Sequence, residues 1–290
     1  SWDNPSTKGY SAEIPDYTFV WNNIMKEEVS IFHDIKRESI YSKGILHWDK
    51  YFTFSEFDKI NKFKKALKID KDTKVLAFFS SAPNEFDSSI KIIEKILENN
   101  NKKLFKNKIH LIARLHPLFF ENSFKKFFNF DLNDKIKELT HIYDNITFLN
   151  PQFYKTGGNS TFDTDYPIED LVNTKLIYES CDIFLSEYST TLIEACIFNK
   201  PIINCSFGSY RRKKLPAKTF ELHHHIDRAI KADFFKSVYS FEELTSQINI
   251  FIENPSIQEK NRIKFINEEL GGFKGNSVEA TYEELKNIID

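Results

Sequence analysis

The chain has 290 residues, 41% hydrophobic and 28% charged, enough to bury a sizeable core in a globular protein. A formal net charge of −2 excludes an overall basic field for nucleic acid, so any attraction to anions must be local. No apolar run reaches the roughly 20 residues that crossing a bilayer requires.

The chain opens on Ser1 with neither an initiator Met nor a signal peptide, and it reads as a piece of a longer protein. Residues 17–21 predict a short strand and Asn22 to His33 a helix. A second short strand follows at 40–45, and Ser55 can cap a helix reaching about Leu67. A regular alternation then begins. Val75 to Phe79 is a continuous apolar run, as a strand buried on both faces requires. Asp87 or Ser88 can cap a helix through Leu97, and Ile109 to Ala113 is the next strand. A Phe-rich helical stretch is expected over about 122–128, a strand over 146–149 and a long loop, with Gly157 and Gly158, over 151–167. Ile168 to Ser180 reads as helix, Asp182 to Ser186 as strand, Thr190 to Phe198 as helix and Pro201 to Cys205 as strand. Helices near 241–253, 256–269 and 277–289 close the chain.

Strand–helix alternation implies parallel strands joined by right-handed crossovers, hence an α/β fold with a Rossmann-like doubly wound parallel sheet. Such sheets bind ligands at the carboxyl ends of their strands, so the informative residues are those just after each strand. After the strand at 182–186 come Ser189, Thr190 and Thr191, three hydroxyls opening a helix whose first-turn N–H groups suit a phosphate. Glu194, four residues beyond Thr190, can accept hydrogen bonds from both hydroxyls of a ribose. On spacing alone, a plain Ser189 cap with Glu194 in solvent is the alternative. Arg114-Leu115-His116-Pro117 follows another strand, and Pro117 fixes the backbone so that His116 sits at the sheet's carboxyl edge. A cationic or hydrogen-bonding imidazole there can neutralise a phosphate or protonate a leaving one, the alternative being a packed histidine. Ser80 and Ser81 end the first core strand, and small hydroxyl residues there permit close approach of a ligand.

Several other features carry less. Cys181, Cys196 and Cys205 have no CxxC spacing and read as buried free thiols of a reducing compartment. His223, His224 and His225 are adjacent and do not converge on one ion, so no metal is expected. Arg211 and Arg212 are either a solvated loop or, with Arg114, contacts for an anion. Asp163 and Asp165 belong to the Gly-containing loop and read as surface. Absence of GxGxxG, Walker, HExxH and GxSxG motifs argues against dinucleotide dehydrogenases, P-loop enzymes, zincins and α/β-hydrolases.

The segment 182–205 resembles the donor-binding segment of GT-B glycosyltransferases, with Glu194-Ala195 and Pro201-Ile202-Ile203 at the matching positions. Its Ser186-Glu187-Tyr188-Ser189-Thr190-Thr191 run is most similar to the Asp-Tyr-Ser-Ser segment of the CDP-glycerol glycerophosphotransferase family and related capsule-polymer enzymes, departing from it at Glu187 and in its threonines. The His116-Pro117 pair resembles that family and several bacterial sialyltransferases. Residues 1–21, the Gly44 to Phe52 segment and the Phe273 to Ser277 turn resemble the crossover, the start of the nucleotide-binding half and the turn before the last helix.

The resemblance implies that 1–52 are the tail of an N-terminal acceptor domain with the interdomain crossover, and 53–290 a nucleotide-donor-binding domain. A complete enzyme would carry about 150 further residues. It implies His116 as catalytic and phosphate-binding residue, with Ser80, Ser81, Ser189, Thr190 and Thr191 on phosphate and Glu194 on ribose. The implied partners are a nucleotide-activated sugar or polyol donor and a polysaccharide or lipid-linked acceptor. No cofactor and no nucleic acid are expected. The implied setting is cytoplasmic, peripheral to the inner membrane face. A CDP, CMP or UDP donor, a non-hydrolysing nucleotide-sugar epimerase and a non-catalytic binding module all stay open.

Overall fold

The computed structural model describes residues 4–7, 9–11, 13–53, 57–155, 164–210 and 215–290. They fall into two compact units, Ser55–Phe220 with Phe234–Glu259, and Ser1–Phe54 with Glu221–Asp233 and Lys260–Asp290. The sequence reading drew one boundary after residue 52 and kept everything beyond it together. In the structure the segments 221–233 and 260–290 cluster with the N-terminal residues instead.

The larger unit is built on β1 (Lys74–Phe79), α1 (Ser89–Asn101), β2 (Ile109–Arg114), α2 (Leu132–Ile142), β3 (Ile146–Phe148), α3 (Ile168–Ser180), β4 (Ile183–Ser186), α4 (Thr191–Ile197), β5 (Ile202–Asn204), β6 (Lys236–Ser237) and α5 (Phe241–Glu253). Its six strands form one parallel sheet in the order β3-β2-β1-β4-β5-β6. That is the doubly wound Rossmann order, whose direction of winding reverses between β1 and β4.

Period-two alternation sorts the strand residues between the faces. Leu76, Phe78, Leu111, Ala113, Ile183, Leu185 and Ile203 join Ile92, Ile93 and Ile96 of α1 and Leu244 and Ile248 of α5 in one core. On the other face, Tyr178 of α3 lies with its ring 5.3 Å from Phe79 and 5.0 Å from Phe184. Both faces are covered, which is why the strands are apolar at successive rather than alternate positions.

Three differences from the sequence reading have local causes. The Phe-rich stretch is two short 3-10 turns, Pro117–Phe120 and Asn122–Phe127, because Glu121 between them is extended (φ −83°, ψ 130°). The helices Leu132–Ile142 and His224–Lys231 were not expected; the first starts where Asp131 Oδ1 accepts the Asp134 N–H (3.1 Å). The expected loop at 151–167 carries a two-residue antiparallel ladder, Tyr154–Lys155 with Thr164–Asp165; Gly157, Gly158 and Asp163 lie outside the described residues, as does the expected cap Ser55.

In the smaller unit, strands Thr18–Val20 and Ile40–Ser42 pair in parallel beside the helix Asn23–His33, capped by Asn22. The two short motifs singled out at opposite ends of the sequence meet here. Asp49 accepts the N–H groups of Ser277 (3.0 Å) and Val278 (2.8 Å), capping the last helix across 228 residues of chain. Gly44, at φ +79°, presses against the same turn: a Cβ there would lie 2.3 Å from Ser277 Oγ and 2.6 Å from Phe273 Cβ. Gly44→Ala is therefore expected to destabilise by more than the about 1–2 kcal/mol of a left-handed L-residue. Thermal unfolding followed by circular dichroism checks this; an unchanged melting temperature would mean that the turn does not need its glycine.

Candidate functional site

Three strand ends lie side by side at the carboxyl edge of the larger unit's sheet. Arg114 of β2 is in register with Phe79 of β1, and Phe79 with Ser186 of β4. The residues just beyond them, 114–117, 80–82 and 187–191, are therefore neighbours. From the β2 end to the β4 end is two strand spacings, about 10 Å.

Hydrogen bonds fix this row. The His116 N–H donates to Ser80 Oγ (2.8 Å), joining the β2 and β1 ends. Glu187 is wholly buried and accepts from the Ser81 N–H (2.9 Å), Ser88 Oγ (3.0 Å) and Ser89 Oγ (2.7 Å). One carboxylate thus ties the β4 end to the β1 end and to the start of α1. Its pKa is raised above the usual carboxyl range, chiefly by burial, and the three donors offset only part of that rise. At β5, Asn204 Oδ1 accepts from Ser206 Oγ (2.6 Å), and Ser206 Oγ accepts the Tyr188 N–H (2.6 Å), which steadies the turn after Glu187.

The expected ligand groups divide on this frame. His116 is half-buried, and its Nδ1 accepts the Leu118 N–H (3.2 Å), which leaves Nε2 to carry the proton. Burial lowers its pKa to about 4. Of the cationic and hydrogen-bonding forms that the sequence leaves open, this environment favours the second at pH 7, a neutral ring that donates through Nε2–H. Ser80 serves first as the fastener of His116, and Ser81 contributes its N–H to Glu187.

Ser189, Thr190 and Thr191 are half-buried. Ser189 Oγ accepts the Thr191 N–H (3.2 Å), while Ser186 Oγ and Thr191 Oγ1 lie 2.9 Å apart. Leu192 and Ile193 donate to the Ser189 and Thr190 carbonyls. The first-turn N–H groups that the sequence reading offered to phosphate therefore have internal partners. What this turn presents is hydroxyl, not bare backbone. Glu194 is half-buried, one turn on from Thr190 as its spacing required, and its Oε2 accepts from the phenol of buried Tyr178 (3.2 Å).

Arg114 is not an open anion contact. Its guanidinium is buried, bonds Asp170 of α3 at 2.5 Å and lies over the Phe79 ring, because an arginine ending a buried strand must find a carboxylate or pay full desolvation. Arg211 and Arg212 lie outside the described residues. Cys181, Cys196 and Cys205 are buried thiols that take part in no disulfide. No helix among the described residues is long and apolar enough to cross a membrane.

Neither a protein-family model nor a curated protein matches the chain. Solved structures do. The UDP-GlcNAc 2-epimerase from Neisseria meningitidis bound to UDP-GlcNAc superposes with TM-score 0.60 at 18% identity, over 94% of this chain and 62% of that one. The wall teichoic acid polymerase TagF gives 0.57 at 12% identity, over 95% and 59%. A glycosyltransferase from Rickettsia africae gives 0.50 at 13%, over 95% and 64%. The fold is that of part of a GT-B protein. The chain spans 59–64% of the length of these three proteins, all of them enzymes by name. At such identities the likeness establishes architecture, not activity.

The environment of His116 makes a direct prediction. Its pKa is about 4 in the folded chain against an ordinary 6.5, so the folded form binds fewer protons than the unfolded one. The stability this contributes is present above pH 6.5 and is lost as the pH falls through about 4. An NMR titration of the ring is expected to give a midpoint near 4, and His116→Asn to lose less stability than wild type over that acid range. A midpoint near 6.5 would place the ring in open solvent.

Proposed function

We propose that this chain is the nucleotide-donor-binding part of a glycosyltransferase-type enzyme. It would move a sugar or polyol phosphate from a CDP-, CMP- or UDP-linked donor to a polysaccharide or lipid-linked acceptor. The observation carrying the reading is the pinned row of His116, the Ser189–Thr191 hydroxyls and Glu194 at the carboxyl edge, where winding reverses and open α/β sheets take their ligands.

In this reading the reaction is displacement at the donor's anomeric carbon or phosphorus, and the chain's task is to hold the leaving phosphate in place. His116 Nε2–H and the hydroxyls of Ser189 and Thr190 donate to phosphate oxygens, while Thr191, whose hydroxyl donates to Ser189 Oγ, holds the Ser189 hydroxyl in place. A phosphate dianion beside the imidazole raises its pKa from the depressed value, so the ring takes up a proton from solvent at Nδ1, giving up the bond from the Leu118 N–H, and can then pass its Nε2 proton to the leaving oxygen. Glu194, which accepts from the Tyr178 phenol, is the residue proposed to meet the ribose hydroxyls. Arg211 and Arg212 are proposed to meet donor phosphate or an anionic lipid-linked acceptor at the inner membrane face.

Likeness to the UDP-GlcNAc 2-epimerase supports a second reading, epimerisation of a nucleotide sugar without an acceptor. Incubation with UDP-GlcNAc separates the two: an isomerised free nucleotide sugar favours the epimerase.

Calorimetry with CMP, CDP, UMP and UDP is expected to detect binding of at least one; no heat from any, with folded protein, contradicts both readings. His116→Ala should weaken the diphosphate by about 1.5–3 kcal/mol, or roughly ten- to a hundredfold, and the nucleoside far less. Glu194→Gln should weaken diphosphate and nucleoside alike, since both carry the ribose. If His116→Ala instead affects every ligand equally and lowers the melting temperature, the histidine is packing and not a contact.

A further inference from the structure

A cavity of about 420 Å³ opens on the α1 face of the larger unit, between the segments 83–94 and 119–138. Phe86, Ile90 and Phe119, all buried, form its apolar floor. Phe127, Phe128 and Phe130 supply a wall. The rings of Phe119 and Phe128 stack at 5.7 Å and 14°, and those of Phe128 and Phe130 at 5.1 Å and 27°, so three near-parallel rings run from the core to Phe130, which is 37% exposed. The volume lies within the about 300–1,000 Å³ usual for small-molecule sites.

The polar lining decides what fits. Asp87, Glu94, Asp131, Asp134 and Glu138 face two lysines, Lys91 and Lys135. Lys135 is already committed, at 2.7 Å to Glu94 and 3.1 Å to Glu138. An anion entering here meets an excess of carboxylate. A purely apolar guest would strip water from those carboxylates and give nothing back. A guest with an apolar face and an edge of hydroxyl donors satisfies both surfaces: its C–H groups lie on the phenyl faces while its hydroxyls donate to the carboxylates.

We propose that this cavity is a subsite for an uncharged sugar unit, distinct from the nucleotide crevice. It adjoins that crevice through Ser89, which lines the cavity and donates to Glu187. Its role, holding an acceptor sugar near the donor, rests on the transferase reading; the binding itself does not.

The test is saturation-transfer NMR and calorimetry on the whole chain with methyl glucoside, methyl N-acetylglucosaminide, glucose 6-phosphate and benzyltrimethylammonium. The neutral glycosides are expected to bind with Kd of order 1 mM, and glucose 6-phosphate at least about tenfold more weakly. Phe130→Ala, at an exposed position, should weaken the glycosides about three- to tenfold without changing the melting temperature. Asp134→Lys with Glu138→Lys, both on the rim, should admit glucose 6-phosphate. The proposal is overturned if no glycoside binds, if glucose 6-phosphate binds as well as the neutral sugars, if Phe130→Ala leaves their Kd unchanged, or if the ammonium cation is preferred. CMP, CDP, UMP and UDP titrations of the same samples report on the other crevice, so failure of either reading is seen separately.

Discussion

A single buried carboxylate organises the carboxyl edge of the sheet. Glu187 has no exposed surface, and an ionised group so placed is tolerated only when its oxygens are well bonded. Ser81, Ser88 and Ser89 satisfy it, and each belongs to a different piece of the edge: the turn after β1, the residue before α1 and the first residue of α1. Because β1 and β4 are the strands between which the winding reverses, the crevice there would otherwise be walled by two independent loops. Glu187 makes them one wall. Ser80 extends that wall to β2 by holding the His116 backbone, and Ser186 extends it into α4 through Thr191.

This arrangement separates groups that shape the edge from groups left to meet a ligand. Ser186, Glu187 and Arg114 are engaged by the protein itself, as are the Ser81 N–H and, as an acceptor, the Ser80 hydroxyl. In the proposed reading His116 Nε2, the Ser189 and Thr190 hydroxyls and Glu194 are the groups that meet a ligand. A neutral imidazole among hydroxyls costs less to bury than a resident cation, and in the proposed reading it gains charge only when a donor phosphate brings the opposite charge with it.

How much of this was readable in the sequence follows from where each partner lies. The core strands announced themselves, because a strand covered on both faces is apolar throughout, as at Val75–Phe79 and Ile183–Leu185. Helices at 168–180, 241–253 and 277–289 fell within a residue or two of expectation. The helix Leu132–Ile142 buries only Leu132 and Leu139, and the helical spacing of these two with Ile136 and Ile142, set among charged residues, passed unread. His224–Lys231 was masked by its run of histidines, read as a metal question rather than as a helix. Glu187 was noticed only as a departure from a family pattern; its three partners lie 98–106 residues away, and no local spacing reveals such a bond. Asp170 lies 56 residues beyond Arg114, so their buried ion pair was likewise not legible from local spacing.

The account turns on ligand binding at the carboxyl ends of β1, β2 and β4. Backbone amide NMR of the chain titrated with CDP and UDP measures this directly. Shift changes are predicted to concentrate at 80–82, 116 and 189–194, with the His116 ring pKa rising above its ligand-free value of about 4. Saturable binding that perturbs amides elsewhere, leaving those positions and the ring unchanged, would contradict the account.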